Sequence, residues 1–342
     1  MDMSMDHAGH NHSAHVSVSP PMAHDHGAVL RHEDGSYYYS HGAWLGHVVP
    51  GSFFLLWGVW WMLATFYEHL ASAAGGPPFR SRGWHRLFFG TARARRFPVE
   101  PFVKIVLPLF GILGELWLGH DQYMNLYASD GKFVMDHVND WQHSAMYSAF
   151  MLSGLVDLAT WYGRLPEGIE HASLGMAFLI EGMLLVFHLK GPKIEILVHL
   201  ILVIQIFLTV VAVVFEALMP TSFAAALARP LSTVIQGVWW IQTAYIMYRA
   251  KPQWDPEDMS SAMMAPVAWV THVLWITAAM LSVFLLMRWV TERHLGWVYK
   301  EERGAPGLGS PMPAARYGAQ RPSGRTNGHI DLELSALTSD KY

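Results

Sequence analysis

Long apolar blocks separated by short charged connections constrain this chain more than any other feature. A helix rises about 1.5 Å per residue, so about 20 apolar residues are needed to cross a hydrocarbon core of about 30 Å. Seven blocks approach this length, near residues 46–68, 102–120, 139–162, 169–189, 194–217, 231–249 and 265–290. A soluble domain could contain one such block. Seven predict an all-α membrane protein, with residues 44–295 forming a seven-transmembrane-helix bundle.

The composition agrees with this class and narrows the partners. Hydrophobic residues make up 52% of the 342 residues and charged residues 15%, and the formal net charge is −4. This gives no electrostatic footprint for nucleic acid, so membrane lipids are the predicted partners. The chain has no cysteine, which excludes disulfides and cysteine metal sites. The flanking residues 1–43 and 296–342 are predicted to be disordered tails.

Positive charge in the first connection indicates the direction of the helices. Short loops rich in arginine and lysine favour the cytosolic side. The connection after the first block contains six arginines: Arg80, Arg82, Arg86, Arg93, Arg95 and Arg96. With seven crossings, the N-terminal tail is then exoplasmic and the C-terminal tail cytosolic. Against the rule, Lys190, Lys193, Arg249 and Lys251 would lie on the exoplasmic side.

The same connection also carries aromatic and aliphatic residues, Trp84, Leu87, Phe88 and Phe89. They leave open a short interfacial helix that touches anionic lipids. Plain anchoring by the positive charges is the simpler alternative.

Ionisable residues inside the blocks carry the functional signal, because such groups cost several kcal/mol in a membrane unless they are paired. In the orientation above, six of the seven helices bring a histidine to the exoplasmic face. Glu181 and His188 share one helix face about 10 Å apart, and the Gly191-Pro192 turn returns His199 to the depth of His188. The candidate metal ligands are Glu115, His143, Glu181, His188 and His199, with His47, His120, His137 and His272 as further candidates.

Neutral imidazoles and a carboxylate suit zinc or copper, with haem iron as a further alternative. The rival interpretation is that these side chains only form hydrogen bonds between helices. Both interpretations stay open. The N-terminal tail is a separate candidate for capturing copper or zinc. Its histidines are His7, His10, His12, His15, His24 and His26, interspersed with methionines; incidental bias in a solvated tail is the alternative.

Several segments resemble one family. They are GHVVPGSFFLLWGVWW at residues 46–61, WQHSAMYSAFMLSGLVD at 141–157, the stretch from Glu181 to His199, and GVWWIQTAYIMY at 237–248. Together they look like the transmembrane protein 45 family. The resemblance implies a seven-helix multipass protein of the Golgi or other endomembranes, with no established reaction, substrate or cofactor; the plasma membrane is the alternative location. Residues 1–43 are an extension relative to the family, and Lys190 and Pro192 stand where relatives tend to have a histidine and an arginine.

Three functions follow as hypotheses, and a transporter is a fourth, which the absence of symmetric broken helices makes less favoured. The first is a multipass endomembrane protein that holds a transition metal in the exoplasmic half. The second is a membrane enzyme that depends on a metal or haem, with Glu181 or Glu115 carrying protons. The third is a non-catalytic scaffold or trafficking protein whose buried polar residues are purely structural. No catalytic motif identifies a reaction.

Overall fold

The computed structural model describes residues 29–31, 37–39, 44–118, 124–251 and 253–304. The helices are α1 (Trp44–Ala73), the short α2 (Ala92–Arg96), α3 (Val99–Leu113), α4 (Met135–Trp161), α5 (Ile169–Val186), α6 (Lys193–Leu218), α7 (Phe223–Tyr248) and α8 (Met259–Gly304). The three-residue strands β1 (Val29–Arg31) and β2 (Tyr37–Tyr39) pair antiparallel. The chain divides into two units, Met1–His294 and Leu295–Tyr342, and in the second only the end of α8 is described.

Long helices occupy all seven segments that the sequence predicts to be helical. Within the described residues, four of them are long and apolar enough to cross a membrane, namely Trp44–Ala73, Ile169–Val186, Lys193–Leu218 and Met259–Arg293. The remaining three, α3, α4 and α7, are shorter or carry more polar residues. Pro108 lies inside α3, and the helix continues beyond Leu113 as a π-helical turn, Gly114–Leu118.

The structure differs from the sequence-based boundaries at three places. The strands β1 and β2 lie within residues 1–43, and α8 continues to Gly304, although both tails were expected to be disordered. The helix α7 begins at Phe223 and not near residue 231. Arg229 and Pro230 made that first part resemble a connection, but both side chains are buried in the bundle.

Close packing of α1 against α7 forms the centre of the bundle. A Cβ atom on Gly58 would lie 2.7 Å from Val234 Cγ2 and 2.8 Å from the Val234 backbone nitrogen, and one on Gly237 would lie 2.3 Å from the Leu55 backbone nitrogen. Small residues let membrane helices approach this closely. Around this contact the core is aliphatic and aromatic and draws on α5, α6 and α8, with Trp61, Phe178, Leu202, Ile206 and Trp239 among its most buried members.

Large apolar side chains cover the outside of several helices. Examples are Leu107 and Phe110 on α3, Ile204 on α6, and Leu274 and Trp275 on α8, all exposed. A soluble protein rarely exposes contiguous apolar surface on this scale. The outer surface is therefore consistent with contact to membrane lipids.

The connections between helices meet in two groups. In the first, the Ser81 backbone N–H donates to Pro220 O at 2.7 Å and Arg80 pairs with Glu167, which joins the α1–α3, α6–α7 and α4–α5 connections. In the second, the Ile194 N–H donates to Pro256 O and the Tyr37 hydroxyl to Asp255 at 2.9 Å. This second group joins the β1–β2 segment, the α5–α6 turn and the α7–α8 connection. Alternate connections therefore meet at opposite ends of the helices.

Candidate functional site

Polar side chains recur along the buried face of α7. Arg229, Ser232, Gln236 and Thr243 are all 8% exposed or less. Their spacing of three, four and seven residues keeps them near one side of the helix. From Arg229 to Thr243 this face extends about 21 Å at 1.5 Å per residue, which is most of the thickness of a hydrocarbon core. We call this row of residues the polar face of α7.

At one end of the polar face, Arg229 forms a fully buried ion pair with Glu216 of α6. Its Nε donates to Glu216 Oε2 at 2.5 Å, and Nη2 donates to Glu216 Oε1 at 3.1 Å. The guanidinium also donates to the backbone carbonyls of Arg82 and Gly83 and lies 4.1 Å from the centre of the Trp61 ring. This one side chain therefore connects α7, α6, α1 and the arginine-rich connection.

His85, in the same connection, links Arg229 to an acidic residue. Arg229 Nη2 lies 3.2 Å from His85 Nε2, and His85 Nδ1 lies 3.1 Å from Glu68 Oε1. A guanidinium can only donate, so His85 Nε2 must be the acceptor and Nδ1 carries the proton that is donated to Glu68. The result is an uninterrupted chain of hydrogen bonds from Glu216 through Arg229 and His85 to Glu68.

Glu100, at the start of α3, accepts hydrogen bonds from three tryptophans of α1. The indole nitrogens of Trp61, Trp60 and Trp57 lie 2.7, 2.8 and 3.4 Å from its carboxylate oxygens. The His85 backbone N–H is a fourth donor at 2.9 Å. Tryptophans at positions i, i+3 and i+4 share one helix face, and here that face holds a carboxylate that is 5% exposed.

Two further buried groups lie at this end. Lys104 Nζ is 2.5 Å from Asp157 Oδ2, with both side chains almost fully buried between α3 and α4. His171, 4% exposed, has no hydrogen-bond partner for either ring nitrogen within the described part of the chain. It lies within electrostatic range of Glu216, Arg229 and Glu170.

In the middle of the polar face, Glu181 of α5 meets Gln236. The amide of Gln236 donates to both carboxylate oxygens, at 3.1 and 3.3 Å. Gln236 Oε1 in turn lies 3.0 Å from the Thr209 hydroxyl, which lies 2.8 Å from Ser232 Oγ. Glu181 is 1% exposed, and among the described residues it forms no ion pair.

At the other end of the polar face, His47 of α1 and His199 of α6 form a pair with their Nε2 atoms 3.2 Å apart. His199 Nδ1 lies 2.8 Å from the carbonyl of Glu195, an acceptor, so Nδ1 carries the proton. His199 Nε2 therefore has a free lone pair that faces His47, and His47 Nε2 donates to it. One proton is thus held between two imidazoles, which we call the histidine pair.

Aromatic side chains and the strand β2 lie beside the histidine pair. The His47 ring contacts Trp240 and Tyr248, with centroids 5.7 Å apart in each case, and Tyr39 of β2 packs on Tyr248 at 5.9 Å. Burial, followed by the nearby Glu195, raises the pKa of the Tyr39 phenol above its usual range. Tyr39 is therefore a neutral neighbour.

The structure brings several of the candidate ligands into one region but sets Glu181 apart from them. Glu115 Oε1 and His143 Nδ1 lie 3.3 Å apart as a second pair, while Glu181 bonds Gln236. His188 lies in the turn after α5, within electrostatic range of His47, His143 and His199. His137 and His272 donate to the backbone carbonyls of Asn125 and Ala268. His120 and the tail histidines, His7, His10, His12, His15, His24 and His26, lie outside the described residues.

These positions bear on the expected metal site. A zinc site needs at least three protein ligands. Within residues 29–31, 37–39, 44–118, 124–251 and 253–304, no group of three or more histidines, aspartates or glutamates could hold a metal ion. The histidine pair supplies two imidazoles, so the described donors do not fit a single zinc ion. Zinc, copper or haem binding thus stays a prediction from the sequence.

Several residues at the arginine end were not among the candidates predicted from sequence. Arg229, Lys104, His85 and Glu100 stood in or beside connections, where charge was taken to orient helices. A signal was present in the three tryptophans of α1, which share one face and require an acceptor for their N–H groups if buried. The sequence does not show which acidic residue that acceptor is.

Residues 167–285, from the start of α5 into α8, match a family model described as "Family of unknown function (DUF716)". The chain is similar to Transmembrane epididymal protein 1A of Mus musculus, at 22% identity over 256 residues, covering 71% of this chain and 80% of that protein. It is also similar to Transmembrane epididymal protein 1 of Rattus norvegicus, at 22% over 253 residues with the same coverage. The Homo sapiens protein of that name is 25% identical over 151 residues, covering 42% of this chain and 55% of that protein.

The names of these relatives and the apolar helices identify an integral multipass membrane protein.

Proposed function

We propose that this protein conducts protons across the membrane along the polar face of α7. The observation that carries the proposal is Glu181, a carboxyl group buried midway along this face that forms no ion pair within the described part of the chain. Ionisable groups at such depth are costly, and in pumps and transporters chains of acidic residues and histidines relay protons. The proposal concerns proton movement alone and names no coupled substrate.

Titratable groups stand on both sides of Glu181. The histidine pair holds a shared proton at one end. At the other end are Glu216, His85 and Glu68, held in place by Arg229, which stays charged and itself carries no proton. In the proposal, protons enter and leave through these groups, and Glu181 is the intermediate carrier.

Orphaned polar atoms mark the two gaps between Glu181 and the ends. On the side of the histidine pair, the Trp240 indole N–H is directed at the Glu181 carboxyl group, while Thr243 Oγ1 is buried without a hydrogen-bond partner among the described residues. On the other side, His171 is in the same condition. Buried polar groups ordinarily have partners, protein or water. Water that bonds these atoms would complete the path in each gap.

The proposal is tested by reconstituting the purified chain in liposomes that contain a pH-sensitive dye. A potassium gradient with valinomycin supplies the driving potential, and the change of internal pH reports proton flux. We expect flux above that of protein-free liposomes, and a loss of about tenfold or more in Glu181→Gln, because an amide cannot carry the proton.

The control variant is Thr277→Val, which removes an exposed hydroxyl on α8 that bonds only its own helix; its flux should equal that of the unchanged chain. Glu181→Gln keeps an acceptor for the Gln236 amide, so it should leave thermal stability nearly unchanged. Unchanged flux in Glu181→Gln, or flux no higher than in empty liposomes, would show that Glu181 is only a packing residue.

We further infer that all seven long helices cross the membrane, with the N-terminus exoplasmic and the C-terminus cytosolic. The alternation of the connections between two ends and the arginine-rich connection at one of them support this topology. The match to the family of unknown function, under which the transmembrane protein 45 family falls, supports the resemblance to that family. A Golgi location rests on the resemblance, and fluorescence microscopy of a tagged chain would test it.

A further inference from the structure

Three arginines of α2 project from the arginine-rich connection. Arg93, Arg95 and Arg96 are exposed, and none of them has an acidic partner within the part of the chain that the structure describes. Thr91 caps the helix by accepting from the Ala94 N–H at 3.3 Å, and Phe97 stacks on Phe102 of α3 with centroids 4.8 Å apart. The arginines are therefore presented on a short helix that is fixed to the bundle.

Two of these arginines line an open groove of about 520 Å³. Its other lining residues are Thr91, Ala94, Phe97 and Val99. Arg95 is on the same helix but does not line it. Ligand sites commonly measure about 300 to 1,000 Å³, so a headgroup the size of a sugar fits this space.

The groove adjoins surface that faces lipid. Val99 begins α3, and further along that helix Val103, Leu107 and Phe110 are exposed apolar residues. Upstream, Phe88 stacks on Trp60 and Tyr67, and Trp84 is buried, so these two residues serve packing, whereas Phe89 is exposed. The basic groove therefore lies at the end of an apolar strip. A lipid could place its charged headgroup in the groove and its acyl chains along the strip.

We propose that this groove binds an anionic phospholipid whose headgroup carries phosphate monoesters, such as a phosphorylated phosphatidylinositol. Arginine guanidinium groups bind phosphate oxygens in a bidentate manner, and Arg93 and Arg96, which both line the groove, would bind one headgroup. The acyl chains lie along the exposed apolar residues of α3. The site is independent of the polar face of α7, so it stands whether or not the chain conducts protons.

The test is fluorescence anisotropy of a labelled long-chain phosphatidylinositol bisphosphate, titrated with the purified full chain in phosphatidylcholine mixed micelles. The double variant Arg93→Gln with Arg96→Gln should weaken binding by about tenfold or more, because two charge-assisted contacts are lost. The matched control, Arg95→Gln with Arg164→Gln, removes two exposed charges outside the groove. It should weaken binding by less than about threefold, since only screened long-range attraction is lost.

The same measurement has a competition arm with soluble inositol phosphate of the same headgroup, which should bind at least about tenfold more weakly than the lipid because it lacks the chains that contact α3. Equal weakening by the two double variants would overturn the groove in favour of diffuse charge attraction. Undiminished binding in the Arg93 and Arg96 variant would overturn it outright. Equal affinity for the soluble headgroup would overturn the assignment to a lipid.

Discussion

At the scale of single residues, Arg229 is the side chain on which most contacts at the arginine end converge. Transferring a guanidinium out of water is expensive, and the structure offsets this cost with Glu216, two backbone carbonyls and the face of Trp61. Because the two carbonyls belong to the connection between α1 and α3, burial of Arg229 also fixes that connection against the helices. A residue that looks like a charged loop position thus organises four segments of the chain.

Removing Arg229 alone should be more harmful than removing it together with its partner. Arg229→Met leaves Glu216 buried and uncompensated, and we expect a loss of about 3 to 5 kcal/mol in the free energy of unfolding. Adding Glu216→Met should restore part of this loss. Unfolding in mixed micelles with increasing dodecyl sulfate measures both.

The matched control for that prediction is Arg288→Met, which breaks the exposed pair with Glu292 and should cost less than about 1 kcal/mol. If the double variant is less stable than Arg229→Met, the unpaired Glu216 carboxylate is not the cause of the loss, and the prediction is wrong.

At the scale of elements, glycine determines how α1 meets α7. The nearest atoms to a Cβ on Gly58 include the backbone nitrogen of Val234, which cannot move aside as a flexible side chain can. In contrast, a Cβ on Gly175 of α5 would meet Val213 Cγ1 at 3.5 Å, an ordinary contact. Two helical glycines that look alike in the sequence therefore have different packing roles.

Gly58→Ala should lower the free energy of unfolding by about 1 to 3 kcal/mol, because α1 and α7 must separate to admit the methyl group. Gly175→Ala, the same chemical change, should be neutral or slightly stabilising, since alanine favours a helix. The same titration in mixed micelles compares them. Equal effects of the two substitutions would contradict this prediction, because they would mean that α1 and α7 can move apart at no cost.

Hydropathy does not identify α7 as a membrane span. α1, which packs against α7, and the outer helix α8 both qualify as spans by length and apolarity, whereas α7 does not. The polar residues of α7 form hydrogen bonds with neighbouring helices and do not contact lipid. They lower the mean hydropathy of the segment, which is the quantity that identifies membrane spans in a sequence. This is also why the predicted start of α7 was too late.

At the scale of the whole molecule, the proposed topology can be tested by labelling introduced cysteines. The natural chain is suited to this test because it has no cysteine. Single cysteines can be introduced without removing any others. Exposed positions in the six connections are Ala92, Glu167 and Thr221 on one side, and Ser129, Lys190 and Glu257 on the other. In sealed vesicles of one orientation, a membrane-impermeant maleimide should label one set of three and spare the other until the vesicles are opened.

The labelling pattern distinguishes alternative numbers of crossings. If α3 did not cross, cysteines at Ala92 and Ser129 would be labelled together. Labelling of both sets in intact vesicles would contradict the seven-span topology. The control is a cysteine whose side of the membrane is known independently, and it shows that the vesicles are sealed and of one orientation.

The sequence by itself determined that the chain is a helical membrane protein, where its seven long helices lie, and that histidines and carboxylates are buried in them. These properties follow from local apolarity, length and turn residues. Only the tertiary structure decided the partners: His47 with His199, Glu181 with Gln236, and Arg229 with Glu216 and the connection before α3. Pairing depends on the register and rotation of helices that are far apart in the chain. Contacts between these helices, including those at glycines, determine both, and no single segment of the sequence does.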